Sequence, residues 1–169
     1  MYSIEKLFLN EDVQREYKKT LLLNMFKKMV QEMNKEESFR MRIKKLYSQS
    51  TNAVETTTII VQKQFSFSLD DKDSALFHSW LDAYFKKRSG RKAISKEIKL
   101  QLIQKQNGIC ASCGEYLGDN LSRIHVDHII PWVLVGDELM DNYQVLCEFC
   151  NECKSARINF SFMQLIKLD

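Results

Sequence analysis

The chain has 169 residues, 44% of them hydrophobic, one proline and a formal net charge of +3. That composition fits a soluble globular protein with one good core or two small ones, and it excludes a wholly disordered chain. No apolar run approaches the roughly 20 residues of a membrane span, and Met1-Tyr2-Ser3-Ile4-Glu5 lacks the charged-then-apolar layout of a secretory signal, so a cytosolic protein without a membrane partner is expected.

From Asp12 to Met33 the apolar positions Val13, Tyr17, Leu21, Met25 and Met29 recur every four residues, widened by Leu22, Phe26, Val30 and Met33. This spacing predicts an amphipathic helix whose other face carries Lys18, Lys19, Lys27 and Lys28. A second helical pattern sets Phe39, Ile43, Leu46 and Tyr47 among Arg40, Arg42, Lys44 and Lys45. These cations either touch phosphates or form the solvated faces of two packed helices, and the pattern alone leaves both open.

A polar run from Ser48 to Thr58 leads into Ile59-Ile60-Val61, after which Phe65, Phe67 and Leu69 alternate with polar residues, predicting one or two strands. Asp70 to Asp73 then offers N-caps for a helix with Leu76, Phe77, Trp80, Leu81 and Tyr84 on one face, ending in Lys86-Lys87-Arg88-Ser89-Gly90. His78 within it is expected to pack or to face solvent rather than to ligate. The segment Ser89-Gly90-Arg91-Lys92 is the best domain boundary, dividing a helical region 1–90 from a second domain 91–169. That domain opens with a helix capped by Ser95 and carrying Ile98, Leu102 and Ile103, and Gly108 ends it just before Cys110.

Charge is unevenly spread: residues 1–95 hold 18 Lys/Arg and 12 Asp/Glu, whereas 96–169 hold 7 and 10. Attraction to a polyanion must therefore come largely from the N-terminal half. All five cysteines fall between Cys110 and Cys153, an odd number in a short interval, which is unlike a secreted disulfide framework. Cys110-x-x-Cys113 and Cys147-x-x-Cys150 form two tight turns whose thiolates can complete a tetrahedron around one Zn²⁺. Such a closed site is structural, and metal binding there stabilises a domain too small to rely on its own core. A redox CxxC would need a thioredoxin-like βαβ setting, which is not visible here. Cys153 continues the even spacing of Cys147 and Cys150, so either downstream pair could complete the cage; Cys147 with Cys150 is favoured, leaving Cys153 as a small helix-packing residue.

Between the two turns lies His125-Val126-Asp127-His128-Ile129-Ile130-Pro131, and Asp141-Asn142 and Asn151 follow. Breaking a phosphodiester with water requires a proton acceptor, charge stabilisation on the phosphoryl oxygens and neutralisation of the departing oxygen. Asp127, His128 and Asn151 are candidates: an imidazole accepts protons near neutrality, and a carboxylate and an amide oxygen are hard ligands for Mg²⁺ or a similar ion. Adjacent strand residues point to opposite faces, so Asp127 and His128 converge only if the chain turns there or a helix packs across it. His125 lies two residues before Asp127, on the same expected strand face.

These residues resemble the HNH endonuclease family. Val126-Asp127-His128-Ile129-Ile130-Pro131, Gly136, Asp141-Asn142-Tyr143-Gln144-Val145-Leu146-Cys147 and Cys150-Asn151-x-x-Lys154-Ser155 follow the family pattern in order, over about residues 91 to 157. The third letter is Asn151, as in the HNN variant, and the motif is also similar to the HNH domain of RNA-guided CRISPR nucleases. The resemblance implies a zinc-stabilised ββα-metal nuclease domain, and with the upstream periodicity the expected fold is an α+β protein in which a mainly helical N-terminal region with a small strand element precedes it. It further implies that His128 is the general base, that Asp127 and Asn151 hold a catalytic Mg²⁺ (or Mn²⁺), and that Asn142 braces the hairpin and helps orient His128. Lys154 and Arg157, one turn apart, are candidate phosphate contacts whose alternative is a solvated helix face.

The function expected on this basis is a metal-dependent DNA endonuclease leaving 5′-phosphate and 3′-hydroxyl ends, in restriction or anti-phage defence, with a homodimer or partner protein engaged through the N-terminal region. The competing class is a catalytically inactive zinc-ribbon-like DNA-binding or protein-interaction module. A zinc deaminase is excluded, because neither H-x-E nor P-C-x-x-C occurs.

Overall fold

The computed structural model of the chain describes residues 10–86, 90–118, 121–139 and 141–158. Among them no helix is long and apolar enough to cross a membrane. The chain divides into two units, Lys18–Lys87 on one hand and Met1–Tyr17 with Arg88–Asp169 on the other. Of the segment read from the sequence as a domain boundary, Ser89 lies outside the described residues, as do Lys87 and Arg88 before it.

Among the described residues the N-terminal region has four helices: α1 (Glu11–Lys35), α2 (Glu37–Ser48), α3 (Ala53–Phe65) and α4 (Asp71–Phe85). Asn10 starts α1 by accepting the Asp12 and Val13 amides on its side chain, at 2.9 and 3.3 Å. The buried stripe of α1 begins later than its periodicity indicated. Leu22, Leu23, Phe26, Met29 and Met33 are buried while Tyr17 is exposed. Phe26 meets Phe77 and Trp80 of α4 edge-on, with centroids 5.9 and 5.7 Å away, and these aromatic rings centre the core. Asp70 caps α4 as expected, accepting the Asp73 amide at 2.9 Å. Some of the basic residues are already partnered within the helices: Lys18 pairs with Asp70 at 2.6 Å and also with Asp73, and Arg40 pairs with Glu37 at 2.6 Å. His78 stacks on Tyr47 with ring centroids 5.2 Å apart, a packing role.

The strands expected across Ile59 to Leu69 are absent. Residues 53–65 are the helix α3, capped by Asn52, whose side chain accepts the Glu55 amide at 3.2 Å, and ended by Ser66 at φ 54°. β-branched residues favour strands only weakly, on a scale of about 1 kcal/mol that context overrides. Here Thr57, Ile60 and Val61 are buried on one helical face. Thr57 and Thr58 donate their hydroxyls back to the Ala53 and Val54 carbonyls, at 2.8 and 3.2 Å, so their polarity is satisfied inside the helix.

In the C-terminal unit α5 (Lys96–Lys105) starts at Ser95, whose Oγ accepts the Ile98 amide at 3.3 Å. Gly108 ends the turn after it at φ +66°, and a Cβ there would stand 3.1 Å from the Tyr116 ring. A 3₁₀ turn, Leu121–Arg123, leads into β1 (Ile124–His128); α6 (Trp132–Val135) follows Pro131, and then come β2 (Tyr143–Cys147) and α7 (Glu148–Lys154). β1 and β2 pair antiparallel, Asp127 opposite Gln144 and His128 opposite Tyr143, and α7 packs on both strands. This is the ββα element. Its core gathers Ile103, Cys110, Leu117, Ile124, Val145, Leu146, Cys147 and Cys150. Gln106 locks α5 to the hairpin by accepting the Val145 amide at 2.7 Å and donating to the Val145 carbonyl at 3.1 Å.

Candidate active site and metal centre

Cys110 and Cys113 lie on the turn after α5, Cys147 ends β2 and caps α7, and Cys150 sits in the first turn of α7. Their four sulfur atoms all lie within 4.8 Å of one another, and Cys113 and Cys147 Sγ are 3.9 Å apart. A tetrahedron with Zn–S bonds of about 2.3 Å places sulfurs about 3.8 Å apart, so the cluster fits Zn²⁺. The Cys147 amide donates to Cys110 Sγ at 3.4 Å and the Cys150 amide to Cys147 Sγ at 3.5 Å, orienting both sulfurs. Burial pushes the Cys147 thiol up to about 12, so a bound cation is what would hold it as a thiolate. The downstream pair is Cys147 with Cys150; Cys153 is exposed and outside the cluster.

His128, the last residue of β1, is 2% exposed. Its Nε2 lies 3.0 Å from Asp137 Oδ1, while Nδ1 is buried and has no hydrogen-bond partner among the described residues. Asp137 accepts three further hydrogen bonds: from the Lys92 amide at 2.9 Å, the Trp132 indole at 2.9 Å and the Tyr143 hydroxyl at 3.1 Å. Burial by itself would raise the Asp137 carboxyl, but these donors override it and hold the group at about 2. Burial lowers the His128 imidazole below its ordinary value against the opposing pull of Asp137, and the exposed Arg91 lowers it further. At neutral pH His128 is therefore a neutral base. Tyr143 is raised, by burial first and then by the Asp137 carboxylate.

Asp127, half-buried on the other face of β1, uses Oδ2 for both Lys154 Nζ at 2.8 Å and Gln144 Nε2 at 2.9 Å. Lys154 is 2% exposed and also donates to the His128 carbonyl at 2.7 Å, so its ammonium lies inside the fold and not on a solvated helix face. Asn151 stands one helical turn before Lys154 and so shares its face of α7, while Arg157 is exposed beyond the helix. Asn142, buried, spans the loop: its Oδ1 accepts the Ile130 amide at 2.7 Å and its Nδ2 donates to the Ile130 carbonyl at 2.8 Å. His125 is half-buried on the Asp127 face.

The structure thus joins Asp127 to Lys154, and His128 to Asp137, on opposite faces of one strand end. Sequence reasoning missed Asp137, Trp132, Tyr143, Gln144 and Arg91. Asp137 carried one signal, its place directly after Gly136 in the stretch between His128 and Asn142, but nothing local tied it to the imidazole.

Residues 110–157 match the HNH endonuclease family, an interval running from the first zinc-cluster cysteine to Arg157 and containing Asp127, His128, Asn142, Asn151 and Lys154. No curated protein and no solved structure matches the chain. The family match implies nuclease chemistry in this unit. Residues 110–157, with their four-cysteine cluster and ββα hairpin, are an HNH endonuclease domain.

Proposed function

We propose that this chain is a DNA endonuclease that hydrolyses phosphodiesters to 5′-phosphate and 3′-hydroxyl ends, with a structural Zn²⁺ in the cysteine cluster and Mg²⁺ or Mn²⁺ at the reacting centre. The observation that carries the reading is the His128 ring within the HNH segment: one nitrogen is anchored to a carboxylate and the other has no hydrogen-bond partner among the described residues. In this reading Nδ1 takes a proton from water as its oxygen bonds to phosphorus, and the P–O3′ bond breaks. Asp127 Oδ1, which neither Lys154 nor Gln144 engages, and the Asn151 amide oxygen are the hard donors for the divalent ion. Bound there, that ion supplies charge neutralisation at the phosphoryl and departing oxygens.

His128 terminates β1, so a phosphate at the strand end can be approached from both faces. Nδ1 is covered in the free protein, and the reading requires substrate binding to uncover it. Arg157 and Arg91, both exposed, are the proposed phosphate contacts on this unit, and Lys154 neutralises Asp127 until metal or DNA arrives. The excess positive charge of residues 1–95 supplies grip on the polyanion. Restriction or anti-phage defence is the proposed setting, and cutting both strands would take a homodimer or two encounters.

One observation favours a second reading, an inactive zinc module that binds DNA or protein: the buried His128 and the Asp127–Lys154 ion pair are also what a purely structural hairpin would show. A plasmid-nicking assay separates the two. Nicking that requires Mg²⁺ or Mn²⁺, and that His128→Ala abolishes at unchanged zinc content, is the expected result. Undiminished cleavage by the variant, or none by the parent with either metal, rejects the catalytic reading.

A further inference from the structure

We propose that Asp137 is the positioning residue of this centre, fixing the His128 tautomer so that the basic lone pair lies on Nδ1; this rests on the catalytic reading of His128. An ionised carboxylate only accepts hydrogen bonds, so the 3.0 Å contact requires the His128 proton to sit on Nε2. The other nitrogen then carries the lone pair, and Nδ1 is the atom without a hydrogen-bond partner among the described residues. Geometry, without any titration, selects which nitrogen can take a proton from water.

Asp137 is built for this task. Its side chain is 4% exposed, and each oxygen accepts two hydrogen bonds, Oδ1 from His128 and Tyr143, Oδ2 from the Lys92 amide and Trp132. Those three companions hold the carboxylate in one orientation whether or not the imidazole is present. Tyr143 lies opposite His128 across the hairpin, its ring centroid 4.7 Å from the imidazole, so the same residue confines the ring and its acceptor. The approach of the chain is equally specific. After the single turn of α6, Gly136 adopts φ 65°, ψ −150°, a region essentially closed to other residues, and this reversal delivers Asp137 to the strand end. The arrangement follows the logic of a carboxylate orienting a general-base histidine in serine hydrolases, with the roles of the two ring nitrogens exchanged.

Asp137→Asn is nearly isosteric and can keep an acceptor for Trp132 and the Lys92 amide, but its amide can donate to Nε2 and so drive the proton to Nδ1. With His128 in the wrong tautomer, kcat for plasmid nicking should fall by roughly 10³–10⁴-fold, while KM, DNA affinity and zinc content stay within threefold. Ring ¹⁵N chemical shifts of His128 in the full-length parent protein report the tautomer directly and need no activity. The proposal stands if the parent shows the Nε2–H form and the variant loses at least a hundredfold in kcat; where the variant does not fold, the parent's Nε2–H form alone sustains it. An Nδ1–H form in the parent, or a folded variant within a hundredfold of the parent, overturns it. If His128→Ala is inactive and Asp137→Asn is not impaired, only the positioning role fails; if the parent itself never cleaves, the catalytic reading fails and the ¹⁵N shifts still decide whether Asp137 sets the tautomer.

Discussion

Asn142→Ala should open the hairpin loop that carries His128, and its cost follows from two hydrogen bonds. The Asn142 carboxamide satisfies both the Ile130 amide and the Ile130 carbonyl, at 2.7 and 2.8 Å, and Asn142 itself is 4% exposed. Truncation leaves both backbone groups buried and unpaired, at about 1–3 kcal/mol each. A loss of about 3 kcal/mol for the unit is expected, with the bond from the Ile129 amide to the Asn142 carbonyl retained. Three kilocalories correspond to about a 10²-fold larger open population, since 1.4 kcal/mol is a factor of ten. Zinc transfer to a chromophoric chelator reads that opening specifically, because the cysteine cluster spans the same hairpin. Asn142→Asp sharpens the test: it keeps the acceptor for the Ile130 amide but sets a carboxylate oxygen against the Ile130 carbonyl. It should be worse than alanine at pH 7 and recover when protonated. A zinc-transfer rate for Asn142→Ala within threefold of the parent would refute the reasoning.

Cys150→Ser, or chelation of the parent, should release the metal and melt the ββα unit while the α1–α4 aromatic core keeps its far-UV helical signal; retained hairpin dispersion in an NMR spectrum of the zinc-free protein would contradict this. Lys154→Met should destabilise the C-terminal unit by about 3–5 kcal/mol, because it strands the Asp127 carboxylate and the His128 carbonyl, and denaturant titration of the zinc-loaded protein measures it. Asp137 is held at about 2, below the 3.8 of an unperturbed aspartate, so its ionised form contributes about 2 kcal/mol above pH 4 and progressively less as pH falls toward 2. In a His128→Ala background, which removes the imidazole's own titration, the stability difference between Asp137 and Asp137→Asn should be flat from pH 7 to 4 and shrink below that; a difference that grows on acidification there contradicts the assignment.

Where local chemistry decides, the sequence alone determined the outcome. The helices over 11–48 and 71–85 follow from apolar spacing, Asp70 and Ser95 act as caps because a short side-chain oxygen can meet an amide three residues on, and two CxxC turns were enough to specify a tetrahedral cluster. Three features were decided only by tertiary structure, each because its partner is distant in sequence. Ile59 to Leu69 read as strand from an apolar run followed by alternation, yet burial of Thr57, Ile60 and Val61 on one face makes residues 53–65 a helix. Lys154 has the sequence context of a surface cation, yet packing of α7 on the hairpin brings it to Asp127, 27 positions earlier, and removes it from solvent. Asp137 has no motif of its own; only the reversal at Gly136 places it against His128, where a buried carboxylate with four donors can fix an imidazole. Periodicity and spacing encode what a residue does to its near neighbours, whereas the identity of a buried charge's partner is settled when the chain closes on itself.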